Sequence, residues 1–174
     1  MVAAERESAR LPAATIRLGT PDDAVGCAVV QRTAWQQTYR GLADASLWMS
    51  PPFVELSARW QQWLAQPQPR YVAEVEGTIV GYAYAREAGR SSSVPPVRDF
   101  ELYQLYVLAS HHGQGIGRKL LDAAAPAEIP AQLWVAARNE RAIRFYERNG
   151  FIQDGARDDG SSFFGIEAIR MVRD

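Results

Sequence analysis

The stretch Leu105-Tyr106-Val107-Leu108-Ala109-Ser110-His111-His112-Gly113-Gln114-Gly115-Ile116-Gly117-Arg118-Lys119-Leu120-Leu121 governs how the rest of the chain is read. A β-rich run leads into three glycines at alternate positions, and Ile116, Leu120 and Ala123 or Ala124 then recur at helical spacing until Pro126. Strand, glycine loop and helix follow in order. Glycines let a backbone approach a bulky group, and amides converging at a helix N-terminus carry partial positive charge suited to phosphate. The pattern predicts a pyrophosphate ligand. A nucleotide-triphosphate loop fails because no Gly-Lys-Ser/Thr ending follows. A dinucleotide fingerprint finds its first two glycines at Gly113 and Gly115, but Arg118 stands at the third, and Ala136-Ala137-Arg138 offer no acid after the next strand.

Upstream, Phe100 to Leu108 reads as the strand entering the loop, and Ala88 to Arg98, rich in serine and proline, is a connection long enough to border a site. Arg70–Glu76 and Thr78–Arg86 form a hairpin about Gly77, with Val72, Val75, Ile79, Val80 and Tyr82 as β-formers. Ala14 to Leu18 is a first strand, and Thr20-Pro21-Asp22-Asp23 opens a helix to about Tyr39. A second helical stretch spans Phe53 to Ala65 and is closed by Pro67 and Pro69. Downstream come a strand at Leu133–Ala137, a helix capped by Asn139 through about Arg148 with Gly150 ending it, and strands at Phe151–Ala156 and Ser162–Val172 about an Asp159-Gly160 turn. The order is β, two helices, three strands, α, β, α, β, β, with no repeat or interdomain linker. Residues 1–12 read as a flexible tail and 13–174 as one domain.

The length of 174 residues suits one packed core, and the net charge of −1 supplies no basic field for nucleic acid or an anionic membrane. Cys27 is the only cysteine, so neither an internal disulfide nor a cysteine-rich zinc site can form. His111 and His112 are adjacent and have no acid cluster beside them, so no metal is expected. No apolar run approaches the ~20 residues of a membrane span, and the N-terminus lacks a signal peptide's apolar stretch. A cytoplasmic location is expected.

The glycine stretch resembles the acetyl-CoA signature of the GNAT superfamily, Arg/Gln-x-x-Gly-x-Gly/Ala between a strand and a helix. Here it reads His112-x-x-Gly115-x-Gly117. The segment Asn139-x-x-Ala142-x-x-Phe145-Tyr146-x-x-x-Gly150-Phe151 resembles the family's second coenzyme A motif, and the strand order matches from about Thr15 to Val172. Trp35-x-x-x-Tyr39-x-Gly41-Leu42 is similar to a segment of many bacterial members. The resemblance implies the GNAT fold of the α/β (α+β) class, a central mixed, mostly antiparallel twisted sheet flanked by helices. It also implies transfer of an acetyl group from acetyl-CoA, with no metal, to a primary amine by direct attack in a ternary complex. A small amine is the first choice of acceptor. A protein or peptide acceptor, or a non-catalytic acyl-CoA-binding regulatory module, stays open, as does a homodimer.

By the same resemblance Glu101, at the start of the strand, takes the amine's proton, and Tyr146 gives a proton to the departing thiolate. The bland readings are a solvated acid beside Asp99 and a core tyrosine. Leu105, Tyr106 and Val107 would flank the pantetheine arm. The loop from His112 through Gly113, Gln114, Gly115, Ile116, Gly117 and Arg118 to Lys119 would hold the pyrophosphate, and Asn139 would add a contact besides its capping role. Trp35 and Tyr39, four apart, share a helix face and could wall the amine or edge the core. Tyr84 and Tyr103 are alternative wall residues or core. His112 departs from the family's Arg or Gln. With an ordinary pKa near ~6.5 it would gain charge toward pH 6 and tighten coenzyme A binding, or else point into water and leave the amides to act alone.

Overall fold

A computed structural model describes residues 13–89, 94–161 and 163–174. The expected tail, residues 1–12, and the serines at 91–93 lie outside the described residues. Twelve regular elements follow in chain order: β1 (Thr15–Leu18), α1 (Ala24–Tyr39), α2 (Ser46–Met49), α3 (Phe53–Leu64), β2 (Tyr71–Val75), β3 (Thr78–Glu87), β4 (Phe100–Val107), α4 (Ile116–Ala124), β5 (Ala131–Ala136), α5 (Glu140–Glu147), β6 (Ile152–Asp158) and β7 (Ala168–Arg173). Single 3-10 turns at Pro21–Asp23 and Ala109–His111 lead into α1 and the glycine loop.

The strands form one seven-stranded sheet in the order β1-β2-β3-β4-β5-β7-β6. Every neighbouring pair is antiparallel except β4 and β5. The mixed, mostly antiparallel sheet with flanking helices is the architecture expected from sequence.

Strand alternation divides the core between the two faces. Val72, Ile79 and Tyr82 face α1 and α3, packing with Cys27, Val30, Leu56 and Trp60. Trp60 is 1% exposed, donates its indole N–H to Gln31 Oε1 at 2.7 Å and meets the Tyr82 ring edge-on at 4.7 Å. On the other face Ala73, Val80, Ala83 and Leu102 pack with Leu120 and Leu121 of α4, and the same cluster reaches Leu133, Met171 and Tyr146. Among the described residues no helix is long and apolar enough to cross a membrane.

Two segments depart from the sequence expectations. Residues 46–49 form the short helix α2, begun by Asp44 Oδ1 accepting from the Ser46 N–H at 2.9 Å and held by buried Leu47 and Trp48. The last strand starts at Ala168, and Ser162, its expected start, lies outside the described residues. Gly160 and Gly165 both take left-handed backbone, and the Gly165 N–H donates to Gly160 O at 2.9 Å, folding the chain into successive turns. A Cβ on Gly160 would fall 2.5 Å from the Gly165 carbonyl carbon, so glycine is required there. These turns carry Phe163 onto Tyr39, with ring centroids 5.5 Å apart.

Candidate active-site cleft

Strands β4 and β5 meet as parallel neighbours at one residue pair, Glu101 opposite Gln132, and then diverge. Between β3 and β4 the register shifts so that Tyr84 faces Gln104 while Ala85 faces Leu102, leaving Tyr103 as the extra residue of a bulge. A bulge raises local twist and bends its strand, which accounts for β4 turning away from β5. A cleft of about 580 Å³ opens between them, bordered by Leu102 to Val107 on one side and Trp134 to Ala136 on the other.

The glycine loop closes one end of this cleft. Gly113 and Gly115 have φ of 77° and 76°, left-handed values that non-glycine residues adopt only with strain, and a Cβ on either would project into open space. Gly117 lies in the first turn of α4, where a Cβ would sit 3.4 Å from the Phe145 ring of α5. Among the described residues, none of the backbone N–H groups from Gly113 to Arg118 finds an acceptor within the protein. These are the orphan donors of a helix N-terminus, concentrated beside the cleft. Ile116 lines the cleft while anchoring α4 in the core.

Two members of the predicted loop set do not face the cleft. The Lys119 N–H already donates to Gly115 O at 3.2 Å, and its side chain borders a separate shallow depression with Ala14, Ile16 and Tyr71. The helical turn between Gly115 and Lys119 places it there. Gln114 is half-buried and donates through Nε2 to Ser110 O at 3.3 Å. Arg118 borders the cleft, but its Nε bonds both Asp122 oxygens at 2.8 and 2.9 Å and its Nη1 reaches Asn149 at 2.6 Å. Asn139 also borders it and caps α5, accepting from the Ala142 N–H at 3.1 Å.

His112 borders the cleft, half-buried, with its ring turned back on the main chain. Its Nε2 lies 2.8 Å from Val107 O, which makes that nitrogen the protonated one. Arg141 Nη1 is 3.2 Å from Nδ1 and 3.3 Å from Nε2. A guanidinium so close to both ring nitrogens disfavours a second positive charge on the imidazole. Burial lowers the His112 pKa, Arg141 and His111 lower it further, and the Val107 bond opposes them without reversing the shift. The charging expected from sequence is thus displaced to lower pH, and Arg141, which borders the cleft from the first turn of α5, is a fixed cation beside it.

Glu101 lies at the point where β4 and β5 part and is 4% exposed. Its Oε2 accepts from Gln132 Nε2 at 3.0 Å, and Gln132 is itself fixed by the Val97 and Arg98 N–H groups donating to its Oε1 at 2.9 and 3.2 Å. Arg86 Nη2 stands 3.5 Å from Glu101 Oε1, and its guanidinium carbon lies 3.4 Å over the Tyr103 ring. Glu101 is thus an anchored carboxylate lining the cleft, not a solvated acid at a strand start. Tyr146 borders the cleft and packs on Phe145 and Phe151 with centroids 5.2 and 5.8 Å away. Burial raises its pKa strongly, so the hydroxyl keeps its proton.

The four aromatic candidates for the acceptor wall separate. Tyr39 and Tyr103 border the cleft, together with Tyr106 of the predicted Leu105, Tyr106 and Val107 edge. The Tyr39 and Tyr106 hydroxyls share a 2.7 Å hydrogen bond, and burial raises both pKa values. Trp35 lies beneath them, 9% exposed, with centroids 6.2 Å from Tyr39 and 6.3 Å from Tyr106, and it does not line the cleft. Tyr84 also stands back, between Arg70 at 4.9 Å and Tyr103 at 5.4 Å. Sequence reasoning missed Arg86, Trp134, Arg141 and Phe163 as cleft residues. A strand register pairing Arg86 with Glu101 would have found the first. Among the described residues no group of three or more His, Cys, Asp or Glu is placed to hold a metal.

Comparison with known proteins bears on the family and the fold. The profile of the acetyltransferase (GNAT) family matches residues 31–151. An uncharacterized N-acetyltransferase of Mycobacterium tuberculosis is 35% identical over 107 residues, which cover 58% of this chain and 64% of the relative, a little under two thirds of its length. The N-alpha-acetyltransferase RimI of the same organism is 32% identical over 120 residues, covering 67% of this chain and 73% of the relative. Among solved structures, the PaiA N-acetyltransferase from Thermoplasma acidophilum in complex with coenzyme A superposes with a TM-score of 0.69 at 20% identity, covering 92% of this chain and 98% of that one. YncA from Salmonella typhimurium, a putative acetyltransferase with its cofactor acetyl-CoA, gives 0.66 at 19% identity, covering 92% of each chain. At these identities the superpositions establish the fold.

Proposed function

This chain belongs to the GNAT acetyltransferase family, and from that premise we propose that it moves the acetyl group of acetyl-CoA to a primary amine by direct attack in a ternary complex. The observation that carries the reading is the splayed β4–β5 cleft, with unpaired loop amides at one end and a buried, anchored carboxylate at the other. The cofactor fits this donor set. Amides of Gly113 to Arg118 suit a pyrophosphate, Arg141 adds a cation, and main-chain groups of Leu105 to Val107, freed where β4 leaves β5, suit an amide-bearing arm. Bound acetyl-CoA supplies the activated acetyl thioester.

The protein's own residues then handle protons. A primary amine of ordinary pKa is neutral in only about one molecule per thousand near pH 7.4, which corresponds to roughly 4 kcal/mol. Glu101, held by Gln132, accepts a proton from the acceptor's ammonium and passes it to solvent. Tyr146, protonated throughout the neutral range, donates to the departing sulfur and is restored by the second proton leaving the nitrogen. Two protons leave the amine, one ends on sulfur and one in water. Tyr39, Tyr103, Trp134 and Phe163 bound the space left for the acceptor.

A peptide N-terminus is the second reading, favoured by the RimI relative's name. Release of coenzyme A thiol across an amine panel, with product masses, tests the assignment. Thiol release dependent on an amine is expected. Acetyl-CoA binding without release for any amine or peptide would overturn catalysis in favour of a regulatory acyl-CoA-binding module.

A further inference from the structure

We propose that the acceptor is a compact zwitterion, an amino acid whose amine is addressed by Glu101 and whose carboxylate is taken by Arg86. This rests on acetyl transfer to an amine as proposed above. Arg86 pairs with Glu101 across the β3–β4 register and so stands at that end of the cleft. Of the other arginines that line it, Arg118 and Arg141 are engaged by Asp122, Asn149 and His112, and Arg148 stands at the C-terminal end of α5. Arg86 is engaged only loosely. Its Nη2 is 3.5 Å from Glu101 Oε1, beyond a good hydrogen bond, and its Nε is buried with no acceptor among the described residues. The guanidinium is laid flat over Tyr103, which fixes its plane and leaves its edge to receive a ligand. The side chain is 42% exposed and Nε is sealed beneath it, so the two Nη groups form the edge from which a carboxylate can accept end-on.

Spacing selects the ligand. Cation and anion stand 3.5 Å apart, and in an α-amino acid the amine nitrogen and carboxylate carbon are separated by two bonds of about 1.5 Å each. A zwitterion can therefore insert across the loose Arg86–Glu101 pair with each charge facing its opposite. Asp158 also borders the cleft, but its Oδ1 already accepts from the Gly160 N–H at 2.8 Å, which leaves Glu101 as the ammonium's partner. Tyr103, Trp134 and Phe163 favour an apolar side chain. A peptide N-terminus carries its carboxylate too far away to use Arg86. A simple amine leaves the guanidinium facing a cationic ligand.

The test compares L-leucine, L-leucinamide, 3-methylbutylamine and a Leu-Gly-Gly tripeptide, and the corresponding phenylalanine set, by thiol release from acetyl-CoA. Calorimetric titration of the same compounds into the protein with coenzyme A gives a readout independent of turnover. The free amino acids are expected to exceed their amides and amines by on the order of tenfold or more in kcat/KM and in affinity. Arg86→Gln is expected to collapse that ratio toward one, and Arg86→Lys to restore part of it, with an unchanged acetyl-CoA thermal shift reporting that each variant is folded. Equal use of amine and amino acid, a ratio surviving in Arg86→Gln, or preference for the tripeptide would each overturn the zwitterion while leaving acyl transfer intact. No thiol release with any acceptor would overturn both.

Discussion

The two ends of the cleft are built by different means. At the loop end the donors are backbone N–H groups from six consecutive residues, aimed by two left-handed glycines and the start of α4. At the Glu101 end the lining is made of side chains from β3, β4, β5, α1 and the turns before β7, brought together only by tertiary structure. Main-chain recognition tolerates almost any neighbouring side chains, whereas side-chain recognition changes whenever one contributor changes. The first end suits a ligand shared across a family, and the second suits one particular to each member.

Substitutions can break this division or sharpen it. Glu101→Gln is expected to lower kcat/KM by about 10²–10⁴ while leaving the coenzyme A dissociation constant within about twofold. A parallel loss of coenzyme A affinity in calorimetry would mean the two ends are not separable. Gly115→Ala is the converse change. It places a methyl where the ligand would approach and an L-residue at φ 76°, so coenzyme A should bind on the order of tenfold more weakly and stability should fall by about 1–2 kcal/mol. Denaturant unfolding with and without ligand separates the two effects. Arg141→Gln should raise the coenzyme A dissociation constant by roughly fivefold at low salt, with the difference shrinking as salt is added.

The smallest effect concerns His112, whose folded pKa lies below the ordinary 6.5. The unfolded chain therefore takes up the proton first, so the stability that neutral His112 contributes is present above pH 6.5 and is lost as pH falls toward the folded value. His112→Gln can still donate to Val107 O and has no charge to gain. Its unfolding free energy should fall less between pH 7 and pH 5.5 than that of the wild type. An identical pH slope in the two proteins would show that the ring is not held neutral.

The same contrast explains what the sequence discloses. Gly113, Gly115 and Gly117 stand at fixed spacing because backbone conformation is local, and Asn139 announces its helix for the same reason. Glu101 is legible through the family resemblance, which points to the start of the strand entering the loop. Arg86 was missed because its partner is fixed by the β3–β4 register, and Arg141 because it reaches a histidine 29 positions earlier. Phe163 was misplaced because an Asp-Gly pair reads as a hairpin turn, while the close approach of Gly160 and Gly165 that coils the segment is a contact between residues five apart. Lys119 was over-read. A helix beginning at Ile116 already commits that residue's amide and turns its side chain from the loop's ligand face.

The single β4–β5 pairing also divides the sheet into two hydrogen-bonded blocks, β1 to β4 and β5 to β7, joined across the divide by one residue pair and by the apolar core beneath. Six consecutive pairs hold β5 to β7. In amide hydrogen exchange, the β5–β7 ladder should be protected to the limit of global unfolding, whereas β4 amides turned toward the gap should exchange through shallow local openings. A ligand bridging the gap would close those openings and merge two cooperative blocks into one, so occupancy of the cleft would be recorded in the mechanical continuity of the sheet.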